Sequence, residues 1–158
     1  MKIKQIEVYQ YNELSEKAKQ RARDWLSEVD DMSFDWECLQ EDAKTIGIEL
    51  TGVDDYKSTG EYLNSPYEVI KLIKANHGEQ CDTYKTALEY EAKFNALPKN
   101  EDGETIEDED LEQDFLNSIL EDYRIMWGRE IEYHYSDEYV NDTMEANEYE
   151  FDINGKRI

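Results

Sequence analysis

Proline is nearly absent from this 158-residue chain, with Pro66 and Pro98 the only two. Cysteine is equally scarce: Cys38 and Cys81 stand far apart, so no disulfide framework is available. A reducing compartment fits that usage, which places the protein in the cytoplasm as an expectation. The N-terminal Met-Lys-Ile-Lys-Gln-Ile-Glu lacks the apolar stretch of a signal peptide. No apolar run approaches the length of a membrane span, so a membrane partner is not expected. Nucleotide-binding loops of the G-x-x-x-x-G-K-[ST] and G-x-G-x-x-G types are missing, as is a G-x-S-x-G nucleophile turn. Only two histidines, His77 and His134, are present. His77 and Cys81 are four apart, but zinc needs about four ligands and no C-x-x-C accompanies them. The Asn100–Gly103 and Asp152–Gly155 stretches lack the glycine and acid spacing of a calcium loop. No metal, cofactor or catalytic residue is therefore expected. Free cysteine is commonly buried, and Cys38 is expected in the core.

Positive charge is the other shortage. The chain has 17 Lys and Arg against 40 Asp and Glu, a net charge of −23. The imbalance is local. Residues 1–100 carry −7, residues 101–152 carry −18 with only Arg124 and Arg129 as bases, and the last six residues carry +2. Such a field repels nucleic acid and anionic membranes and attracts basic surfaces. The exception is the stretch from Lys17 to Arg23. Three Trp, twelve Tyr and four Phe oppose a disordered chain, and the length is enough to bury a core.

What is present reads as an α+β domain spanning 1–158, with a possible hinge near 98–104. Residues 2–11 are rich in strand formers. Ser15 is an N-cap for a helix whose inner face is Ala18, Ala22, Trp25, Leu26 and Val29. A second helix covers about residues 34–46, stopped by Gly47. Ile48 and Leu50 make a short strand, and residues 52–64 read as a polar loop. Ser65-Pro66-Tyr67-Glu68 has the form of a capping box with proline in the first turn. The helix it opens, another over 82–97, and a short helix after Ser136 complete the smaller elements. Tyr149, Phe151 and Ile153 alternate as a terminal strand before an Asn154-Gly155 turn. The expected architecture is a small sheet of two or three strands, including both chain ends, packed with five or six helices.

One of those helices is long and acidic. Leu111, Phe115, Leu116, Ile119, Leu120, Tyr123, Met126 and Trp127 keep helical spacing, which a disordered acidic tail has no reason to do. Gly128 is placed to end or bend it. Glu107, Asp108, Asp110, Asp114, Glu121 and Asp122 are the candidate partner-binding residues. Asp110, Asp114 and Glu121 form a stripe opposite the apolar side. Carboxylates on adjacent turns lie roughly 5–6 Å apart, and DNA carries a phosphate per about 3.4 Å on each strand. A rigid acidic helix thus approaches the charge density of a nucleic acid backbone. The plainer reading is a solvated face, the usual meaning of a charge run.

Several segments resemble a family of small bacteriophage and prophage proteins. They are Glu13-Leu-Ser-Glu-Lys-Ala-Lys-Gln-Arg-Ala-Arg-Asp-Trp25, Glu41-Asp-Ala-Lys-Thr-Ile-Gly47, Tyr67-Glu-Val and His77-Gly-Glu-Gln-Cys-Asp-Thr-Tyr-Lys-Thr-Ala87. Phe115-Leu, Leu120-Glu-Asp-Tyr-Arg-Ile125, Ser136-Asp-Glu and Ala146-Asn-Glu-Tyr-Glu-Phe151 continue the pattern. The resemblance covers most of the chain and is poorest over 95–110. The family is sometimes labelled antitoxin-like. It implies a phage or prophage origin and supplies no catalytic residues to carry over. Three functions are then expected to compete: an inhibitor of a host nucleic-acid-handling or defence protein, acting through an acidic, DNA-mimicking surface; an antitoxin-like partner of a toxin; and an enzyme with an unrecognised site, which the missing motifs disfavour.

Overall fold

The computed structural model describes every residue except Asp55, which falls in the stretch expected as a loop and lies outside the described residues. Contact density divides the chain into two compact units, 1–34 with 130–158, and 35–129. The 98–104 stretch lies inside the second unit. It closes as a turn in which the Asn100 side chain accepts from the Asp102 and Glu104 amides, 3.0 and 2.9 Å away.

The first unit begins with strand β1 (Tyr9–Gln10), a 3-10 turn (Tyr11–Glu13) and helix α1 (Glu16–Val29). Ser15 caps α1 by accepting from the Ala18 amide at 3.2 Å. Ala18, Ala22 and Leu26 are buried, but Val29 is exposed at the end of the helix. After the long helix, Ser136 caps α6 (Asp137–Ala146), and β4 (Glu150–Phe151) pairs antiparallel with β1. Both strands are much shorter than the sequence pattern suggests. Ile3 and Ile6 are exposed, and the chain turns away after Phe151. Gly155 at that turn has φ +82°, and a Cβ there would lie 2.0 Å from the Ala18 carbonyl oxygen. Tyr11, Leu14, Val140, Met144 and Phe151 join the α1 residues in this unit's core.

Helix α2 (Ser33–Thr45) starts just before the boundary and leads into the second unit. Ala43 and Ile46 are buried, and Gly47, at φ +82°, turns the chain into β2 (Ile48–Val53). The expected loop contains β3 (Ser58–Tyr62), which pairs antiparallel with β2. There are thus two separate two-stranded sheets among the described residues, one of them built from both chain ends. β3 has little hydrophobic pattern because its partners need small or polar side chains. The Ser58 hydroxyl donates to the Leu120 carbonyl. A Cβ on Gly60 would sit 2.5 Å from the Glu49 carbonyl oxygen.

Helices α3 (Pro66–Asn76) and α4 (Asp82–Asn95) follow. The Ser65 hydroxyl accepts from the Glu68 amide at 3.3 Å, one half of the expected capping box. Helix α5 (Glu109–His134) continues through Gly128, where an added Cβ would meet open space, so the expected end there is not found. At 1.5 Å per residue it is about 39 Å long. Its Phe115, Ile119 and Tyr123 are fully buried against Ile46, Ile48, Val69, Ile73, Ala87 and Phe94. No helix among the described residues is long and apolar enough to cross a membrane.

Candidate functional site: the acidic side of helix α5

Asp108 precedes α5, and its carboxylate accepts from the Leu111 amide at 3.1 Å. This fixes the helix start, where Glu109, Asp110 and Glu112 face the positive end of the helix dipole. The apolar residues at 115, 119 and 123 hold the helix against the second unit's core, so its opposite side is solvated. Asp110, Asp114 and Glu121 are exposed there, and Glu107 and Asp108 are exposed just before the helix. The expected stripe therefore exists as a surface. Glu112 is half-buried, and its carboxyl is pushed above the ordinary range by desolvation and by Glu107, Glu109 and Asp108. Glu121 is answered on its own helix: Arg124 Nε donates to it at 2.8 Å and holds its carboxyl below the ordinary range.

Asp122 departs from the expected surface. Its residue is only 9% exposed. The cause is its position one residue beyond the stripe, which turns it towards α4. The Thr86 hydroxyl donates to Asp122 Oδ2 at 2.7 Å. Burial, then the nearby charges of Asp82, Glu121 and Glu89, outweigh that bond and push the carboxyl up to about 6. A depression of about 430 Å³ opens beside it between α4 and α5. Glu89, Asp114 and Glu121 also line it, with Tyr90 and Ser118, whose hydroxyls share a 3.0 Å hydrogen bond.

A second polar cluster went unseen in the sequence. Tyr123 donates to Asp42 Oδ2 at 2.8 Å, and His77 Nε2 lies 3.2 Å from the same oxygen, out of line for a hydrogen bond. The His77 Nδ1 shares a 2.5 Å hydrogen bond with Thr83. The imidazole beside Asp42 and the Tyr123 hydroxyl hold its carboxyl below the ordinary range. Thr83 is fully buried, and the chain Asp42–His77–Thr83 ties α2 to the start of α4. Only the pairing of a buried tyrosine with a distant acid could have signalled it, and sequence spacing carries no such information.

Cys38 and Cys81 are both exposed, contrary to the core position expected for Cys38. Helix α2 buries Ala43 and half-buries Trp36 and Leu39, and Cys38 falls on the outer side between them. Among the described residues, no group of three His, Cys, Asp or Glu is placed to hold a metal ion.

The chain matches no family model, no curated protein and no solved structure.

Proposed function

We propose that this protein is an interaction protein that presents the acidic side of α5 to a protein partner with a basic surface. The observation that supports this reading is the stripe itself: Asp110, Asp114 and Glu121 exposed along one side of a helix whose other side buries Phe115, Ile119 and Tyr123. The core fixes the spacing of those charges, so they form a rigid surface. A rigid polyanion of this spacing is suited to a site built for nucleic acid. Together with the resemblance to phage proteins, this favours a host nucleic-acid-handling or defence protein as the partner. It acts without catalysis or cofactor, inside the host cytoplasm, and does not itself bind nucleic acid or membrane. The antitoxin-like alternative uses the same surface on a toxin.

The test compares capture from host extract by the native protein and by a variant carrying Glu107→Gln, Asp108→Asn and Asp110→Asn. The native protein retains a basic partner that duplex DNA competes away, and the variant loses it. Equal recovery by both proteins, unaffected by DNA, would overturn the reading. A toxin encoded beside this chain, captured in place of a nucleic-acid-binding protein, would select the antitoxin-like alternative.

A further inference from the structure

We propose that the depression between α4 and α5 seats one guanidinium side chain of the protein partner, with Asp122 as its counter-charge. The inference rests on the acidic-surface reading and adds to it a point of contact and the chemistry of the group that enters. Asp122 is nine-tenths buried and lines the depression, but only a neutral hydroxyl, that of Thr86, answers it. Among the described residues its Oδ1 meets no donor, and no lysine or arginine pairs with it. The neighbouring cations answer other acids: Arg124 pairs with Glu121, Arg129 with Asp82 at 3.6 Å, and Lys93 with Glu89 at 3.3 Å at the rim, where its Nζ lies 4.5 Å from the centre of the Tyr90 ring. A buried carboxylate without a cation is costly, and an entering cation removes that cost.

Arginine suits this seat better than lysine or a metal ion. A guanidinium is weakly hydrated and planar, and forks its donors onto a carboxylate, whereas an ammonium gives up water reluctantly. No metal-binding group of side chains forms here among the described residues. Asp114 sits on the same wall, exposed, where it attracts the incoming side chain before Asp122 receives it.

The test uses an acetylated tetra-arginine amide and its tetra-lysine counterpart as probes, titrated at pH 7.5 and low salt, with NMR signals of Thr86 and the Asp122 carboxyl as readout. Asp122→Asn keeps the shape and the acceptor for Thr86, and a thermal melt verifies its fold. Asp110→Asn is the control outside the depression. The arginine peptide shifts both signals and binds more tightly than the lysine peptide. Asp122→Asn weakens it about tenfold, and Asp110→Asn changes it by less than about twofold. Equal weakening by the two substitutions would mean that the general field holds the peptide, and would overturn the seat while leaving the acidic-surface reading intact. Equal affinity for the lysine peptide, or no shift at Thr86 and Asp122, would also overturn it. The capture variant keeps Asp122, Asp114 and Glu121, so failure of the acidic-surface reading shows independently of the seat.

Discussion

On the inner side of α5, Phe115, Ile119 and Tyr123 have no exposed surface, whereas on its outer side Asp110, Asp114 and Glu121 stand in solvent. The two sides are parts of one helix and differ in what their residues can be exchanged for. Inner residues meet neighbours of fixed shape: Phe115 stacks on Tyr90 at 5.1 Å and meets Phe94 edge-on at 5.8 Å. Outer residues meet water, so their contribution to stability is small and their freedom to serve a partner is large. Asp122 belongs to neither side, being a charge held in an environment suited to an apolar residue. The comparison separates residues that hold the helix in place from residues that the helix displays.

The largest break in that comparison is Phe115→Ala. It empties the centre of the second unit's aromatic cluster and should cost about 3–5 kcal/mol. Chemical denaturation gives the value. A loss below about 1 kcal/mol would mean that the inner side is loosely packed.

Asp122→Asn should act in the opposite direction. The folded carboxyl titrates near 6, above the ordinary aspartate value of about 3.9. Between those values the folded state binds the proton more tightly than the unfolded state. Stability from this group is therefore present at pH 4, falls as pH rises, and is gone above about 6. The groups facing it are Asp82, Thr86 and Glu89 on α4 and Glu121 on α5, and all three facing acids disfavour its charge. The substitution should stabilise the protein at pH 7 by about 1–3 kcal/mol and have little effect at pH 4. Urea titrations at the two pH values measure this. A destabilised variant at pH 7 would show that the charged form is held favourably.

A smaller break lies where β3 reaches α5. Ser58→Ala removes the donor to the Leu120 carbonyl and should cost about 1 kcal/mol. Urea denaturation at neutral pH measures it, and an unchanged midpoint would show that the contact adds nothing to the native state. This strand also marks where sequence patterning fails. The long helix was legible because Leu111 to Trp127 keep one period, and the Ser15, Ser65 and Ser136 caps because a hydroxyl before a helical run has one local use. β3 was not legible: Ser58 and Gly60 are chosen for what touches them across the fold, and neither carries a hydrophobic signal. The exposed stripe followed from the helical period alone. The burial of Asp122 did not, because it depends on how α4 lies beside α5. The exposure of Cys38 escaped for the same reason, since residue type states a tendency and packing decides the case.

The smallest effect on stability, and the largest on partner binding, is expected from neutralising Asp110, Asp114 and Glu121 to Asn, Asn and Gln. Asp110 and Asp114 are like charges one turn apart, and removing them relieves repulsion. Glu121→Gln removes the pair with Arg124, which works the other way. The two effects nearly cancel on an exposed face, so the melting temperature should move by no more than about 2 °C. Association with a basic partner should slow several-fold at low salt, with the salt dependence flattened, because complementary charge acts chiefly on the encounter rate. Because Asp114 and Glu121 also line the depression at Asp122, dissociation should quicken as well, by less than Asp122→Asn alone causes. Stopped-flow association at several salt concentrations separates the two rates. An unchanged on-rate and salt slope would reduce the outer side of α5 to a solvated surface and move the interface towards the exposed basic residues of α1.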